Sequence, residues 1–133
     1  MDESREEMLK RYPRKRDHFA TENGIVIEEL GDDWARCGME ITEHHRNSLG
    51  GVMGGAIFTL ADLAGGAAAN RRHWPTVTLQ ASINFLNPTA GSKLIADAKC
   101  LRDGKTTCVV NVRVYDDLGQ DIAQMVLTGY KMP

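Results

Sequence analysis

The sequence predicts an α+β domain in which one antiparallel β-sheet packs around a single long helix. The middle of the chain, residues 52–70, is rich in Ala, Gly and Leu and spaces its apolar residues at helical intervals. Four stretches with the composition of β-strands follow between residues 75 and 130, separated by turn signals. An amphipathic sheet and one long helix bury their apolar faces against each other, which gives this architecture.

The chain has the size and composition of one globular domain. Its 133 residues are 42% hydrophobic and 26% charged, so we expect a single domain over 1–133 with a helical extension at 1–18. A net charge of -2 argues against nucleic acid or an anionic membrane as the main partner. The N-terminus is charged and has no apolar signal segment, and no CxxC motif occurs, so we expect free thiols and a cytoplasmic location.

The N-terminal part of the chain predicts one helix and one hairpin. Residues 2–12 have helix-forming composition, with acidic residues first and basic residues last, and Pro13 ends this helix. Residues 24–30 and 34–41 are predicted strands joined by a Gly-Asp-Asp turn, so they form a hairpin. A polar loop over 42–51 then leads to the long helix.

The long helix is predicted over 55–70. Gly65 and Gly66 each cost about 1 kcal/mol of helix propensity, and we interpret both as sites of close approach by the sheet or another backbone. Asp62 lies near the middle of the segment, which argues against a membrane span. The residues predicted to face the core share helical spacing: Ile57, Leu60, Ala61, Ala64 and Ala68.

The C-terminal half predicts four strands. Residues 75–88 alternate apolar and polar side chains without a break and form the clearest strand. Residues 94–102 and 106–115 are predicted as a hairpin with Asp103-Gly104 as its two-residue turn. Residues 121–130 form the last strand.

Two features of the long helix indicate chemistry. Asp62 is the one charged residue between Asn47 and Asn70, and its carboxylate is costly to desolvate unless a partner or a reaction uses it. Gly54-Gly55 leaves the backbone N–H groups at the helix start uncovered by side chains. The simpler interpretations are a solvent-facing aspartate and a tight turn. We predict that Asp62 and the glycine turn are functional.

These residues belong to a longer pattern, HxNxxGxxxGG followed by Leu-Ala-Asp. The pattern resembles the hotdog-fold acyl-CoA thioesterases of the phenylacetate-degradation, or PaaI-like, type. The likeness continues through the later strands and covers about residues 20–131. The residues that carry the pattern are His45, Asn47, Gly50, Gly54, Gly55 and Asp62.

The resemblance implies a hotdog fold, with a curved antiparallel sheet wrapped around the central helix. It implies hydrolysis of the thioester of a small aromatic or medium-chain acyl-CoA. It also implies a homodimer, with dimers often paired into tetramers. The active site then lies at the dimer interface, where Asp62 of one chain faces the Asn47 loop of the other.

The resemblance assigns four catalytic residues. Asp62 is the general base or the nucleophile, and the Gly55 N–H donates to the carbonyl oxygen of the thioester. Asn47 orients the attacking water or the carbonyl, although an Asn in a polar loop is commonly a turn residue. Thr78 takes the place where the family commonly has a Ser or Thr that assists the water.

The role of Thr78 depends on which side of its strand faces the helix. It shares one strand face with Gln80, Ser82 and Asn84. If Val77 and Leu79 cover the helix of the same chain, Thr78 points away and serves only a site shared between subunits.

For coenzyme A, the resemblance implies that residues 80–85 and the hairpin 102–106 flank the pantetheine and the nucleotide. The basic side chains at 102 and 105 would meet phosphates, although basic residues at hairpin turns are commonly just solvated. We expect no metal and no cofactor beyond the coenzyme A of the substrate. The predicted substrate-binding residues are Met53, Gly54, Gln80, Phe85, Arg102, Gly104, Lys105 and Thr106.

Met53 departs from the family pattern, which usually has His before the paired glycines. A methionine cannot donate a hydrogen bond, so the polar help of that His is lost. A non-catalytic or weakly active hotdog protein that binds acyl-CoA is therefore the alternative. An acyl-CoA hydratase on the same fold ranks last, because it requires a catalytic His beside the acid.

Overall fold

The computed structural model describes residues 17–133. Its first element is a short helix, α1, over His18–Glu22. The helix predicted over 2–12 lies outside the described residues, as does most of the extension predicted over 1–18. The sequence did not predict α1, because five residues are too few for helical periodicity to show.

Six antiparallel strands form one sheet in the order β1-β2-β4-β5-β6-β3. All six predicted strands are present close to their predicted bounds, and the first hairpin is confirmed by the pairing of β1 with β2. The strands are β1 Ile25–Leu30, β2 Trp34–Glu40, β3 Thr76–Phe85, β4 Lys93–Asp103, β5 Thr107–Asp116 and β6 Asp121–Lys131.

The turn of the β4–β5 hairpin lies later in the chain than predicted. The N–H of Gly104 donates to the carbonyl oxygen of Thr107 at 2.9 Å, so Lys105 and Thr106 form the tip. Asp103 is still paired within the sheet. A Cβ atom at Gly104 would lie 2.7 Å from the Thr107 oxygen, so the glycine permits the close approach of the two strand ends. The prediction of Asp103-Gly104 as the turn is therefore wrong.

The long helix, α2, spans Gly54–Arg72 and contacts all six strands. The five residues predicted to face the core are buried. Gly65 confirms the predicted close approach, because a Cβ there would lie 2.9 Å from Cδ1 of Leu127 on β6. For Gly66 that interpretation is wrong within the chain, since a Cβ there would meet nothing within 4 Å. Across residues 17–133, every helix is too short or too polar to cross a membrane.

The edge strand β3 contains a β-bulge that changes which side chains face α2. The register with β6 shifts between Thr78 and Gln80, so Leu79 is an extra residue without a partner. One extra residue moves the alternation by one position and exchanges the two faces of the strand. Thr78 therefore faces α2 before the bulge, and Ala81 and Ile83 pack against the core after it.

The bulge settles the orientation of Thr78. Val77 is 46% exposed and Leu79 is 64% exposed, so these two side chains do not cover the helix. The condition under which Thr78 points away from its own helix is not met. The sequence hid this outcome because the uninterrupted alternation of residues 75–88 gives no sign of an extra residue.

The three cysteines are free thiols, as predicted. Cys37 and Cys108 are buried, and burial raises the pKa of Cys37 to about 12. A thiol with so high a pKa is not ionised at neutral pH and is a poor nucleophile. Cys37 therefore contributes to packing.

Candidate active site

Asp62 and Thr78 are predicted catalytic residues that the structure brings together. Thr78 Oγ1 on β3 donates a hydrogen bond to Oδ1 of Asp62 on α2, with 3.0 Å between the oxygens. Asp62 is half-buried and Thr78 is exposed. Within residues 17–133 no other side chain donates to this carboxylate, which leaves Oδ2 available to water.

The start of α2 carries free backbone donors. The N–H groups of Ala56 and Ile57 both donate to the carbonyl oxygen of Met53. The N–H groups of Gly54 and Gly55 have no acceptor among the described residues, and Met53 at the N-cap offers no side-chain cap. Free donors at the positive end of a helix dipole attract negative charge.

The side chains around these glycines leave Gly55 accessible. The Phe85 ring at the end of β3 lies against Gly54, where an added Cβ would be 3.2 Å from the ring. Gly55 is exposed, and so is Met53, which is 54% exposed. Met53, Gly54 and Phe85 thus lie near the Gly55 N–H, which is the predicted hydrogen-bond donor to the oxyanion.

The loop before α2 is held by Asn47. Its Oδ1 accepts hydrogen bonds from the N–H groups of Leu49 at 3.0 Å and Gly51 at 3.2 Å. This is the turn role that Asn commonly has in loops. The amide Nδ2 of Asn47 has no acceptor within residues 17–133, so it remains able to donate to another molecule. Leu49 at the loop tip is 93% exposed.

His45 connects this loop to the rest of the fold, a contribution that the sequence did not reveal. Its Nδ1 accepts from the Thr42 N–H at 3.0 Å, so Nε2 carries the proton that is donated to the Asn23 carbonyl oxygen at 2.7 Å. Its own carbonyl oxygen accepts from the Met53 N–H at 2.8 Å. The position of His45 in the HxN pattern was the one feature of the sequence that could have indicated this role.

The predicted oxyanion donor and the predicted base are far apart within one chain. Asp62 lies seven residues after Gly55 along α2, an axial distance of about 10 Å at 1.5 Å per residue. A carbonyl carbon under attack has its oxyanion donor and its nucleophile or base each about 3 Å away. One chain therefore does not place these two groups on the same carbonyl.

Asp62 and Thr78 line a surface pocket of about 430 Å³. Its apolar lining comes from both helices: Phe19 and Ala20 on α1, and Phe58 and Leu63 on α2. The pocket thus combines a carboxylate with an apolar wall, which suits an apolar group attached to a reacting carbonyl.

The residues predicted to bind coenzyme A divide between two places. Phe85 lies near the start of α2, and Gln80 is exposed on β3 with its Nε2 donating to Ser82 Oγ at 3.0 Å. Arg102, Lys105 and Thr106 are exposed in the β4–β5 hairpin, where half-buried Gly104 begins the turn.

The β4–β5 hairpin lies at the opposite end of α2 from Gly55. Asp103 bonds to Arg72 at 3.2 Å, and Arg72 is the last residue of the helix. The length of α2, about 27 Å, therefore separates the hairpin from the helix start within one chain.

Two basic side chains that were not predicted as site residues, Lys131 and Arg72, lie beside this hairpin. Asp103 accepts hydrogen bonds from Lys131 and Arg72, and these hold its pKa below the ordinary value. Lys131 comes from the end of β6, so only the fold brings it here, while Arg72 was visible as a basic residue ending the predicted helix. Across residues 17–133 no group of three metal-ligating side chains occurs.

Comparisons with known proteins identify the family. The thioesterase superfamily matches residues 49–123, more than half of the chain. The acyl-coenzyme A thioesterase PaaI of Escherichia coli K12 is 31% identical over 101 residues, which cover 75% of this chain and 72% of that protein. The family match and the PaaI relative together show that the chain is a member of the thioesterase superfamily.

Solved structures agree with the sequence comparison. The structure of the E. coli PaaI protein from the phenylacetic acid degradation operon matches with a TM-score of 0.87 and 25% identity, covering 95% of this chain and 91% of that one. A Streptococcus mutans UA159 protein bound to acetyl-CoA matches with a TM-score of 0.77 and 31% identity, covering 81% and 88%. The chain therefore belongs to the thioesterase superfamily, as a PaaI-like member with the hotdog fold.

Proposed function

We propose that this protein is an acyl-CoA thioesterase that hydrolyses small aromatic or medium-chain acyl-CoA to the free acid and coenzyme A. The observation that carries the proposal is Asp62, hydrogen-bonded to Thr78 beside an apolar pocket, in a chain of the thioesterase superfamily. The E. coli relative is named as an acyl-coenzyme A thioesterase, and the S. mutans neighbour binds acetyl-CoA, which supports the substrate class.

The active site is shared between two chains of a homodimer. The separation of about 10 Å between Gly55 and Asp62 supports this arrangement, because a two-fold axis brings one from each chain together. The same axis brings the β4–β5 hairpin of one chain toward the α2 start of the other. The hairpin of one chain and the glycine turn of the other then contact the same substrate molecule. Within each chain these two parts lie at opposite ends of α2.

The edge strand β3 is the surface through which the dimer forms. Its outer backbone edge has no partner strand within residues 17–133. Val77, Leu79 and Phe85 on this strand are exposed apolar residues, which are unfavourable on a free edge. Pairing of β3 with its symmetric copy covers them, and two such dimers form a tetramer.

The hydrolytic step uses Asp62 as a general base. Its Oδ2 takes a proton from a water molecule as the water oxygen attacks the thioester carbonyl, while Thr78 holds Oδ1 in place. The partner's Gly55 N–H donates to the developing oxyanion, and Asn47 Nδ2 orients the carbonyl or the water. Collapse of the tetrahedral intermediate breaks the C–S bond, and the coenzyme A thiolate leaves and takes the proton that Asp62 accepted from water, which restores the carboxylate.

Asp62 as a nucleophile is the other form of this chemistry. Oδ2 then bonds to the acyl carbon, the C–S bond breaks as the coenzyme A thiolate leaves, and water hydrolyses the resulting anhydride. Label in Asp62 after a single turnover in ¹⁸O-water identifies the nucleophilic form, in which water attacks the aspartyl carbonyl of the anhydride. The general base predicts an unlabelled aspartate.

Binding of coenzyme A uses the exposed hairpin. Arg102 and Lys105, with Arg72 and Lys131 close to Asp103, form a basic region suited to phosphates. Gln80, Phe85, Gly104 and Thr106 flank the pantetheine. We propose that the reaction requires no metal or further cofactor, and that it takes place in the cytoplasm.

Hydrolysis of a panel of acyl-CoA thioesters tests the proposal. We expect turnover of at least one small aromatic or medium-chain member, and a loss of about 10²–10⁴-fold in Asp62→Asn with the fold intact. Asp32→Asn, in the exposed β1–β2 turn, is the matched control and keeps its activity. No turnover on any panel member, or full activity of Asp62→Asn, contradicts the proposal.

Met53 favours a second candidate, a weakly active or non-catalytic acyl-CoA-binding protein. The side chain is exposed beside the free N–H groups and gives them no polar support. This candidate predicts thermal stabilisation by acyl-CoA without hydrolysis. Efficient hydrolysis by the wild type contradicts this candidate, and a Met53→His variant of an inactive wild type that gains no activity strengthens it.

A further inference from the structure

Gly66 in α2 has no explanation within the packing of its own chain. Glycine in a helix interior is unfavourable, so a glycine there commonly marks a close contact. Gly65 has such a contact, since an added Cβ would lie 2.9 Å from Leu127 Cδ1. At Gly66 an added Cβ would meet nothing within 4 Å.

The empty space above Gly66 belongs to the pocket that contains the carboxylate of Asp62. Gly66 and Asp62 both line this pocket, and they lie four residues apart on one face of α2. The distance between them along the helix is about 6 Å. A group whose carbonyl lies at Asp62 therefore extends over Gly66, where a larger side chain would stand in its way.

The short helix α1 forms the other side of the same pocket. Ala20 is buried and anchors α1, while Phe19 is 68% exposed and lines the pocket. Phe58 lies on α2 one turn before Asp62 and packs partly against the core. The pocket thus runs between an aromatic residue on each helix.

We propose that Gly66 and Phe19 set the length of the acyl group that this protein accepts. The acyl chain or ring lies along α2 from Asp62 across Gly66, and Phe19 limits how far it extends. Asp17 and Asp62 both line the pocket, so a neutral acyl group fits and an acyl group with its own carboxylate is repelled. This inference rests on the proposed function for the position of the thioester.

Two variants change the pocket in opposite directions. Gly66→Leu fills the space above α2, and Phe19→Ala removes the side chain contributed by α1. Leu118→Ala is the matched control, because Leu118 is 69% exposed, as Phe19 is, but lies in the β5–β6 turn away from the pocket. All three retain the residues proposed for catalysis.

The experiment measures acyl length twice, as kcat/KM for saturated acyl-CoA thioesters and as Kd for non-hydrolysable S-alkyl-CoA thioethers of the same lengths. We expect kcat/KM and affinity to rise about fourfold per buried methylene up to a cut-off. Gly66→Leu moves the cut-off to shorter chains and Phe19→Ala moves it to longer ones. Leu118→Ala leaves it unchanged.

The outcomes separate this inference from the proposed function. A cut-off in the thioether series that moves as expected supports the inference, even if the wild type hydrolyses nothing and the proposed function fails. A cut-off that neither variant moves overturns the inference, even if hydrolysis is efficient. A Gly66→Leu protein with a changed oligomeric state, together with an unmoved cut-off in Phe19→Ala, also overturns it and assigns the space to a partner helix. If the wild type neither binds thioethers nor hydrolyses thioesters, both proposals are wrong.

Discussion

Asp62 accepts a side-chain hydrogen bond from Thr78, which a β-bulge in its strand turns toward α2. Thr78 reaches Oδ1 of Asp62 because it lies just before the bulge of β3. A hydrogen bond to a charged group is stronger than one between neutral groups and fixes the direction of the carboxylate. In the proposed mechanism, Thr78 therefore positions Asp62 for the water or acyl group that approaches Oδ2.

Thr78→Val removes this hydrogen bond and keeps the β-branched shape. We expect kcat to fall about tenfold, because a hydrogen bond to a charged group is worth about 1.5–3 kcal/mol and part of it is replaced by solvent. Thr78→Ser restores the hydroxyl and the rate. Steady-state kinetics of both variants make the measurement, with Thr128→Val on β6 as the control. An unchanged kcat in Thr78→Val would remove Thr78 from the mechanism.

At the scale of elements, α2 uses two adjacent glycines for different purposes. Gly65 lies against Leu127 and Val112, where an added Cβ would be 2.9 Å and 3.3 Å from side-chain atoms. Gly66 faces the pocket. The sequence indicated that both permit close approach, because helical spacing does not show which turn the sheet covers and which turn it leaves open.

Alanine at these two positions distinguishes the roles. Gly66→Ala gains helix propensity without a clash, so we expect the free energy of unfolding to rise by about 0.5–1 kcal/mol. Gly65→Ala has the same gain but must displace buried side chains, which costs about 1–3 kcal/mol. Denaturant unfolding of both variants tests this order. A Gly65→Ala protein as stable as Gly66→Ala would show that α2 and the sheet are not closely packed there.

The β5–β6 turn depends on a buried carboxylate. Asp116 is 1% exposed and accepts hydrogen bonds from Thr89 Oγ1 at 2.7 Å, the Leu118 N–H at 3.0 Å and the Gln120 N–H at 2.9 Å. These bonds, that of Thr89 first, hold the pKa of Asp116 below its ordinary value of 3.8. The folded state therefore binds fewer protons at this site than the unfolded state.

This difference predicts how stability depends on pH. The contribution of Asp116 is present above the ordinary pKa of 3.8 and is lost as the pH falls through the lower pKa of the folded state. Asp116→Asn keeps an acceptor in the turn but does not titrate. We expect its Tm to fall less steeply than that of the wild type below pH 3.8, measured by thermal unfolding at a series of pH values. Equal slopes would contradict the assignment.

At the scale of the whole molecule, the predicted site residues are spread along α2, from its start through Asp62 at its middle to its end. Arg102 and Lys105 lie near the helix end, while Asn47 and Gly55 lie at its start. In one chain these residues are therefore too far apart to contact the same reacting group. The proposed two-fold dimer through β3 would bring the end of one helix beside the start of the other and so complete two sites.

The fold was predictable from the sequence because its signals are local and regular. Alternation identified the strands, and helical spacing identified α2 and its core residues such as Leu60 and Ala64. The HxNxxGxxxGG pattern indicated the family. The bulge at Leu79, the link made by His45 and the meeting of Lys131 with Asp103 were not predictable, because each depends on contacts between residues distant in the chain.

Mixed dimers of two inactive variants test the shared site most directly. Asp62→Asn lacks the base, and Gly55→Pro lacks the N–H at a first-turn position where a helix tolerates proline. Each variant alone is expected to be folded, dimeric and inactive. In a mixed dimer, the intact Gly55 of one chain meets the intact Asp62 of the other, and the second site lacks both groups.

Co-expression of the two variants in equal amounts, followed by an acyl-CoA hydrolysis assay, is the decisive measurement. Half of the dimers are mixed and each has one working site of two, so we expect about a quarter of the wild-type activity. Pairing of dimers into tetramers leaves this fraction unchanged. Activity no greater than that of either variant alone, with mixed dimers present, would contradict the shared site.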